Sequence, residues 1–258
     1  MNPPNHANEL FQHYGRHYRA GSEGYFLPLT EIRRYKLDRL PRWLEQAPTS
    51  LHVLDAGCAN GYQLSLLAEA GFTHLTGVDV SHELTTEARA RLGQRATIVT
   101  ADMAEYLQGL PVASFDAILF HHVIEHVPRE ALTSLLRQFH RVLRPGGRLN
   151  IRTPNANCLG AAPHMYADLT HLVFFNDRGL LQALEAGGFD PLQVTFPAKK
   201  PRLLLIPEAP MRSLLRLGNR LRWHLNQLLH RFVYAVSDIR PLTRSFDVEL
   251  EAVAHKSP

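Results

Sequence analysis

A chain of 258 residues can hold one large α/β domain, or one domain with an appendage. With 45% hydrophobic and 20% charged residues and no internal repeat, the composition excludes disordered, fibrous and solenoid architectures. Net charge is only +4, but Pro197 to Arg231 carries eight Lys or Arg against one acid, Glu208, so that segment is +7 and the remainder −3.

Two cysteines, Cys58 and Cys158, cannot form a disulfide framework, which favours a reducing, cytoplasmic compartment. The N-terminus lacks a secretory pattern, and no apolar stretch approaches the roughly 20 residues of a membrane span.

Residues 1–50 read as a helical lid, with Phe11, Tyr14 and Tyr18 at helical spacing and a second helix over Leu29–Leu44. Strand and helix then alternate. Strands are predicted at Leu51–Ala56, Leu75–Val80, Ala96–Thr100, Phe115–Phe120 and Arg148–Arg152. Helices are predicted at Tyr62–Ala70, His82–Leu92 and Glu130–Leu143, two of them ending at Gly71 and Gly93. A helix at Asp177–Ala186 and a sixth strand at Pro191–Phe196 follow, and a last strand at Phe246–Ala254. This order predicts a parallel, doubly wound α/β sheet with helices on both faces. The core spans residues 51–196 and 246–258, with 197–245 as a basic helical insertion.

In open α/β sheets, ligands sit beyond the carboxyl ends of the strands. The first strand runs into Asp55-Ala-Gly57-Cys58-Ala59-Asn-Gly61, a turn whose backbone can approach a ligand closely. The second ends in Asp79-Val80-Ser81, with the carboxylate 22 residues beyond Gly57, the spacing of a ribose-binding acid. The third ends in Asp102-Met103, offering a carboxylate to an exocyclic amine and an apolar flank to an adenine. A nicotinamide cofactor would put a pyrophosphate at the turn, where Asp55 would repel it. The same acid would attract the amino group or sulfonium of S-adenosylmethionine.

The stretch from about 51 to 190 resembles the class I S-adenosylmethionine-dependent methyltransferases. VLDAGCANG, LTGVDVS, TADM, FDAILFHHVIEHV, HRVLRPGGRLNIRTPN and LLQALEAGGF stand in family order. The resemblance implies a Rossmann-like, seven-stranded sheet with the last strand antiparallel beside the fifth. It also implies that Asp55, Gly57 and Gly61 border the methionine moiety, Asp79 the ribose, and Asp102 and Met103 the adenine. His121 would lie near the sulfonium. Ala59 replaces the middle Gly of the family loop.

The fourth strand ends in His121-His122-Val-Ile-Glu125-His126. A Glu-His pair here can simply anchor the next helix. Alternatively, a histidine removes a proton from an attacking hydroxyl, with His121, His122 and His171 as candidates. Family members with E-x-x-E-H here hold a divalent ion with a downstream His. His122, Glu125, His126 and His171 would be the corresponding set, its nitrogen content favouring zinc or a transition ion over magnesium. The segment from Thr153 to Phe175 would cross the cleft, with His164, Tyr166, Asp168 and His171 facing an acceptor and Phe174 and Phe175 packing inward.

Within the insertion, apolar residues from Met211 to Val236 form a helical stripe with arginines largely opposite. Either the stripe packs on the domain, or residues 199–231 meet an anionic membrane surface. Few aromatics are available for stacking, which argues against nucleic acid. The resemblance to bacterial surface-polysaccharide and secondary-metabolite enzymes points to O-methylation of a sugar hydroxyl on a lipid-linked or nucleotide-linked glycan. A phenolic or quinone-type lipid precursor is the second reading, and a non-catalytic cofactor-binding subunit the third. The sequence leaves the oligomeric state open.

Overall fold

A computed structural model describes residues 40–198, 210–237, 240–243 and 246–257, with side chains from 217 onward in the long helix. Residues 1–39 of the lid predicted over 1–50 lie outside the described residues. At its end, where a helix was expected to reach Leu44, Arg42–Gln46 forms a 3-10 turn. Pro41 starts it, Leu44 is buried, and the Arg148 guanidinium lies 5.0 Å over the Trp43 ring.

Seven strands form one sheet in the order β3-β2-β1-β4-β5-β7-β6. They are β1 (His52–Ala56), β2 (His74–Asp79), β3 (Thr97–Thr100), β4 (Phe115–His121), β5 (Leu143–Pro154), β6 (Val194–Thr195) and β7 (Glu249–His255). The first five are parallel, and β7 runs antiparallel between β5 and β6. The helices are α1 (Tyr62–Glu69), α2 (His82–Leu92), α3 (Met103–Gln108), α4 (Arg129–Val142), α5 (Ala162–Tyr166), α6 (Asp177–Ala186) and α7 (Pro210–Val236).

The central strands are buried on both faces because helices cover both. Leu54, Ile118, Phe120 and Ile151 join α4 and α6 in one apolar cluster, while Val53, Leu119 and Ala117 join α1 in the other. Strand order reverses between β1 and β4. The carboxyl ends of those two strands therefore flank the crevice where a ligand can enter.

Three strands start more than one residue away from the sequence reading. Strand β5 starts at Leu143, where α4 ends, because the Arg144-Pro-Gly-Gly147 turn is absorbed as a bulge. Phe115 pairs with Leu143, and the next pair, Ala117 with Arg148, skips the turn. An Arg144–Asp116 ion pair at 2.6 Å pins it. Strand β6 shrinks to two residues, since Pro191 lacks an N–H and a 3-10 turn takes Pro191–Gln193. Strand β7 begins three residues later than expected, after Phe246 and Asp247 have turned to α7.

The long basic helix forms over Pro210–Val236, and its orientation rules against the first of the two alternatives, in which the apolar stripe packs on the domain. The inward face is polar. Trp223 Nε1 donates to Asp247 Oδ1 at 2.6 Å, and Asn226 Nδ2 donates to the Phe246 carbonyl at 2.9 Å. Gln227 Oε1 accepts from Phe246 N at 3.0 Å, and Tyr234 OH donates to the Asn157 carbonyl at 2.9 Å. His230 stacks on Phe246 and accepts from Leu159 N. The leucines face outward.

Helix α6 lies against α4 at Gly187, where an added Cβ would come within 2.5 Å of Leu136 Cβ. Gly187→Ala should therefore cost about 1–3 kcal/mol through overpacking. Thermal unfolding should show Tm lowered by several degrees; an unchanged Tm would contradict this account of the α4–α6 contact.

Candidate active site

The loop after β1 carries positive φ at three alternate residues, Gly57 (84°), Ala59 (44°) and Gly61 (73°). Gly57 is doubly constrained, because a Cβ there would sit 2.3 Å from Val123 Cγ2 on the loop after β4. Ala59 holds the left-handed conformation with a Cβ, at a cost of about 1 kcal/mol. The loop is held in place by Asp79, whose Oδ2 accepts from Ala59 N and Oδ1 from Ser81 N, both at 2.9 Å. One carboxylate thus ties the end of β1 to the end of β2. Gly57 N and Cys58 N both donate to the Val78 carbonyl.

Asp55, at the foot of this loop, is almost fully buried, and its Oδ2 has no hydrogen-bond partner among the described residues. Burial, with Asp79 nearby, pushes its carboxyl well above the usual range. Burial also raises Asp79, against the pull of its two N–H donors. The Cys58 thiol is pushed up by burial and is inert as a nucleophile. Val80 is exposed beside Asp79. Asp102 is the N-cap of α3, its Oδ1 accepting from Ala104 N and Glu105 N at 2.8 and 3.1 Å, and Met103 is half-buried behind it.

Beyond β4 the chain makes a tight turn with His122 at φ 55° and a 3-10 turn at Ile124–His126. Glu125 is completely buried, and neither carboxylate oxygen has a hydrogen-bond partner among the described residues. His122 Nδ1 lies 3.6 Å from Glu125 Oε1, and His122 Nε2 lies 2.7 Å from Glu249 Oε1 at the start of β7. Desolvation opposes charge on His122, but the two carboxylates outweigh it and push its pKa up to about 10. Glu125 is held below its ordinary value despite burial, chiefly by His122. The two carboxylates thus favour the imidazolium form of His122, which has no lone pair for a proton and argues against this one of the three histidine candidates as the base.

His126 is arranged differently. Thr170 Oγ1 donates to Asp168 Oδ1 at 2.6 Å and accepts from His126 Nδ1 at 2.8 Å. This assigns the proton to Nδ1 and the lone pair to Nε2. Burial lowers the pKa of His126, so its ring is neutral at pH 7. The His171 ring lies 4.7 Å from it, with Nδ1 donating to the Met165 carbonyl at 2.8 Å. The Glu125 carbonyl accepts from Leu172 N and Val173 N, which brings the 168–173 loop against the turn.

His121 is held behind this group, Nε2 at 2.6 Å from Asn150 Oδ1. Asn150 Nδ2 donates in turn to Glu251, which pairs with Arg152 at 3.3 Å. Of the loop residues expected to face an acceptor, His164 and Tyr166 are exposed, and Phe175 packs into the core with Phe174 half-buried.

Residues 29–194, well over half of the chain, match the family model described as a methyltransferase domain. The chain belongs to the class I S-adenosylmethionine-dependent methyltransferases. A probable S-adenosylmethionine-dependent methyltransferase of Mycolicibacterium smegmatis is 33% identical over 138 residues, covering 54% of this chain and 51% of its own. The ubiquinone biosynthesis O-methyltransferase of Aeromonas salmonicida is 34% identical over 140 residues, covering 52% and 56%. The chain thus spans about half the length of these curated relatives. Among solved structures, an Archaeoglobus fulgidus SAM-dependent methyltransferase superposes over 93% of this chain and 99% of its own, with TM-score 0.65 and 21% identity. That likeness establishes the fold.

The cofactor of this methyltransferase family fits the residues present. The buried Asp55 oxygen lacks a partner that an ammonium would supply, and Asp79 keeps lone pairs beyond its two N–H donors. Asp102 Oδ1 caps α3 at the carboxyl end of β3, with Met103 the first residue of that helix. A divalent metal also has a set of donors: Glu125, His126 and His171 offer ligand atoms within 4.8 Å of one another. Both imidazoles have Nδ1 at an oxygen acceptor, the arrangement that turns Nε2 toward a metal. His122, the fourth residue expected in that set, is instead turned to Glu249.

Glu249 and Thr170 were not foreseen. Glu249 is 127 residues from its partner His122, and no local pattern announces such a pair. Thr170 was within sight, between Asp168 and His171.

Because the His122 pKa is raised in the folded state, its ion pairs contribute stability that is fully present below about pH 6.5. That contribution is lost as pH rises through about 10. The Tm of the wild type should fall more steeply between pH 7 and 10 than that of His122→Gln. Parallel curves would show that the pair carries no such charge.

Proposed function

We propose that the chain is an S-adenosylmethionine-dependent O-methyltransferase in which His126 is the base. The observation that supports this most is the Asp168–Thr170–His126 relay, which leaves a neutral imidazole with its Nε2 lone pair beside His171. The bound cofactor supplies an electrophilic methyl carbon on a sulfonium. An acceptor hydroxyl must lose its proton as its oxygen attacks, and His126 Nε2 takes that proton while Thr170 and Asp168 steady the resulting cation. The Glu125 carboxylate, 3.6 Å from His122, is close enough to His126 to offset part of the same charge.

For the acceptor we favour a phenolic or quinone-type lipid precursor over the sugar hydroxyl suggested by the sequence. Leu159, Leu169 and Leu172 are exposed along the 156–173 loop with Tyr166 between them, a rim suited to apolar rather than polyhydroxylic molecules. Relatives covering half of this chain carry the name ubiquinone biosynthesis O-methyltransferase. The glycan reading draws on the exposed His164 and on Asp168 in the same loop.

A metal held by Glu125, His126 and His171 would polarise the hydroxyl instead, a second version favoured by the 4.8 Å clustering of their donor atoms. The base version is preferred because Glu125 already faces a cation, His122.

His126→Ala should lower kcat on a catechol-type acceptor by about 10²–10⁴-fold while S-adenosylhomocysteine affinity stays within about twofold. Chelator treatment should leave wild-type activity intact. Loss on chelation with recovery on zinc would replace the base with the metal. Cofactor binding without transfer to phenols or glycans would leave a non-catalytic subunit.

A further inference from the structure

Helix α7 is anchored by its polar face and exposes its apolar one. Leu217, Leu221, Leu225, Leu228, Phe232 and Val236 fall on a single stripe and are each 53–72% exposed. On the opposite side, the hydrogen bonds of Trp223, Asn226, Gln227 and Tyr234 to the 246–247 and 157 backbone and to Asp247 fix the helix rotation. The stripe cannot roll inward without breaking them, and it stands exposed among the described residues.

Charge points to a partner for it. The 27-residue helix contains five arginines and neither Asp nor Glu. At 100° per residue, Arg222 borders one edge of the stripe, and Arg220 and Arg231 border the other, with His224 between them and the leucines. Arginines at the margins of an apolar face can bury their stems and hold their guanidinium groups at the level of lipid phosphates. A second copy of the chain is a poorer occupant. Pairing two such stripes, in either direction, sets arginines against arginines with no acid on the helix to offset them. No helix among the described residues is long and apolar enough to cross a membrane.

We propose that the exposed face of α7 is a docking surface for an anionic lipid bilayer, with the helix lying in the plane of the interface. Docking there would hold the domain at the source of an amphiphilic acceptor, but the proposal does not depend on the acceptor or on turnover.

The full chain is sedimented with phosphatidylcholine vesicles with and without phosphatidylglycerol. It should partition onto the anionic vesicles, less so as salt is raised. Leu225→Glu with Leu228→Glu should lower partitioning by at least about tenfold. Arg222→Ala with Arg231→Ala should lower it by about tenfold on anionic vesicles only. All four side chains are exposed, so Tm and S-adenosylhomocysteine binding should match the wild type and separate a docking defect from misfolding. Failure of the wild type to bind anionic vesicles would overturn the proposal, as would equal binding by the glutamate variant. So would a solution dimer, seen by light scattering, that the glutamate substitutions split; that result would assign the face to a second copy.

Discussion

A carboxylate with no access to water must be neutralised by its neighbours, and Glu125 is such a group. Its position dictates much of the acceptor side of the cleft. His122 stands 3.6 Å away as an imidazolium and reaches Glu249 on β7, so the turn after β4 is bound to the last strand. The carbonyl of Glu125 takes two N–H groups from the 168–173 loop and draws His171 to His126. Three segments distant in sequence meet at this one residue. The strained φ of His122 is sustained by that convergence.

The two halves of the crevice are built on different chemistry. On the cofactor side, backbone geometry dominates: alternate positive φ values, two N–H groups on Asp79, and two more on the Val78 carbonyl. Asp55 is a buried acid that burial and Asp79 push toward its neutral form, so only a cation beside it would favour its charge. On the side proposed for the acceptor, side-chain ionisation dominates, with His122 pushed toward its charged form and His126, four residues later, toward its neutral one. In the proposed mechanism a cationic His122 beside a neutral His126 divides the labour: one balances buried charge, the other takes the acceptor's proton.

What the sequence disclosed follows the range of the interactions involved. The Gly57–Gly61 loop, Asp79 and Asp102 were legible because strand ends and turn chemistry are local, and the sheet order with its antiparallel β7 followed from the family resemblance. Helix α3 was missed because six residues show little periodicity, although Asp102 followed by Glu105 is a capping signal. The His122–Glu249 pair was invisible because it spans 127 residues. The stripe of α7 was read correctly, but periodicity reports which residues share a face and not what that face meets. Only the hydrogen bonds of Trp223, Asn226 and Gln227 reveal that the polar side is the inner one.

The central claim is that one crevice joins the Asp55–Asp79 cofactor side to the His126–His171 pair. A crystal structure with S-adenosylhomocysteine tests it most directly. The account predicts the ribose hydroxyls on Asp79, the amino group toward Asp55, and the sulfur facing the side of the cleft where His126 and His171 stand. A sulfur directed away from that pair, with both rings walled off by side chains, would contradict it.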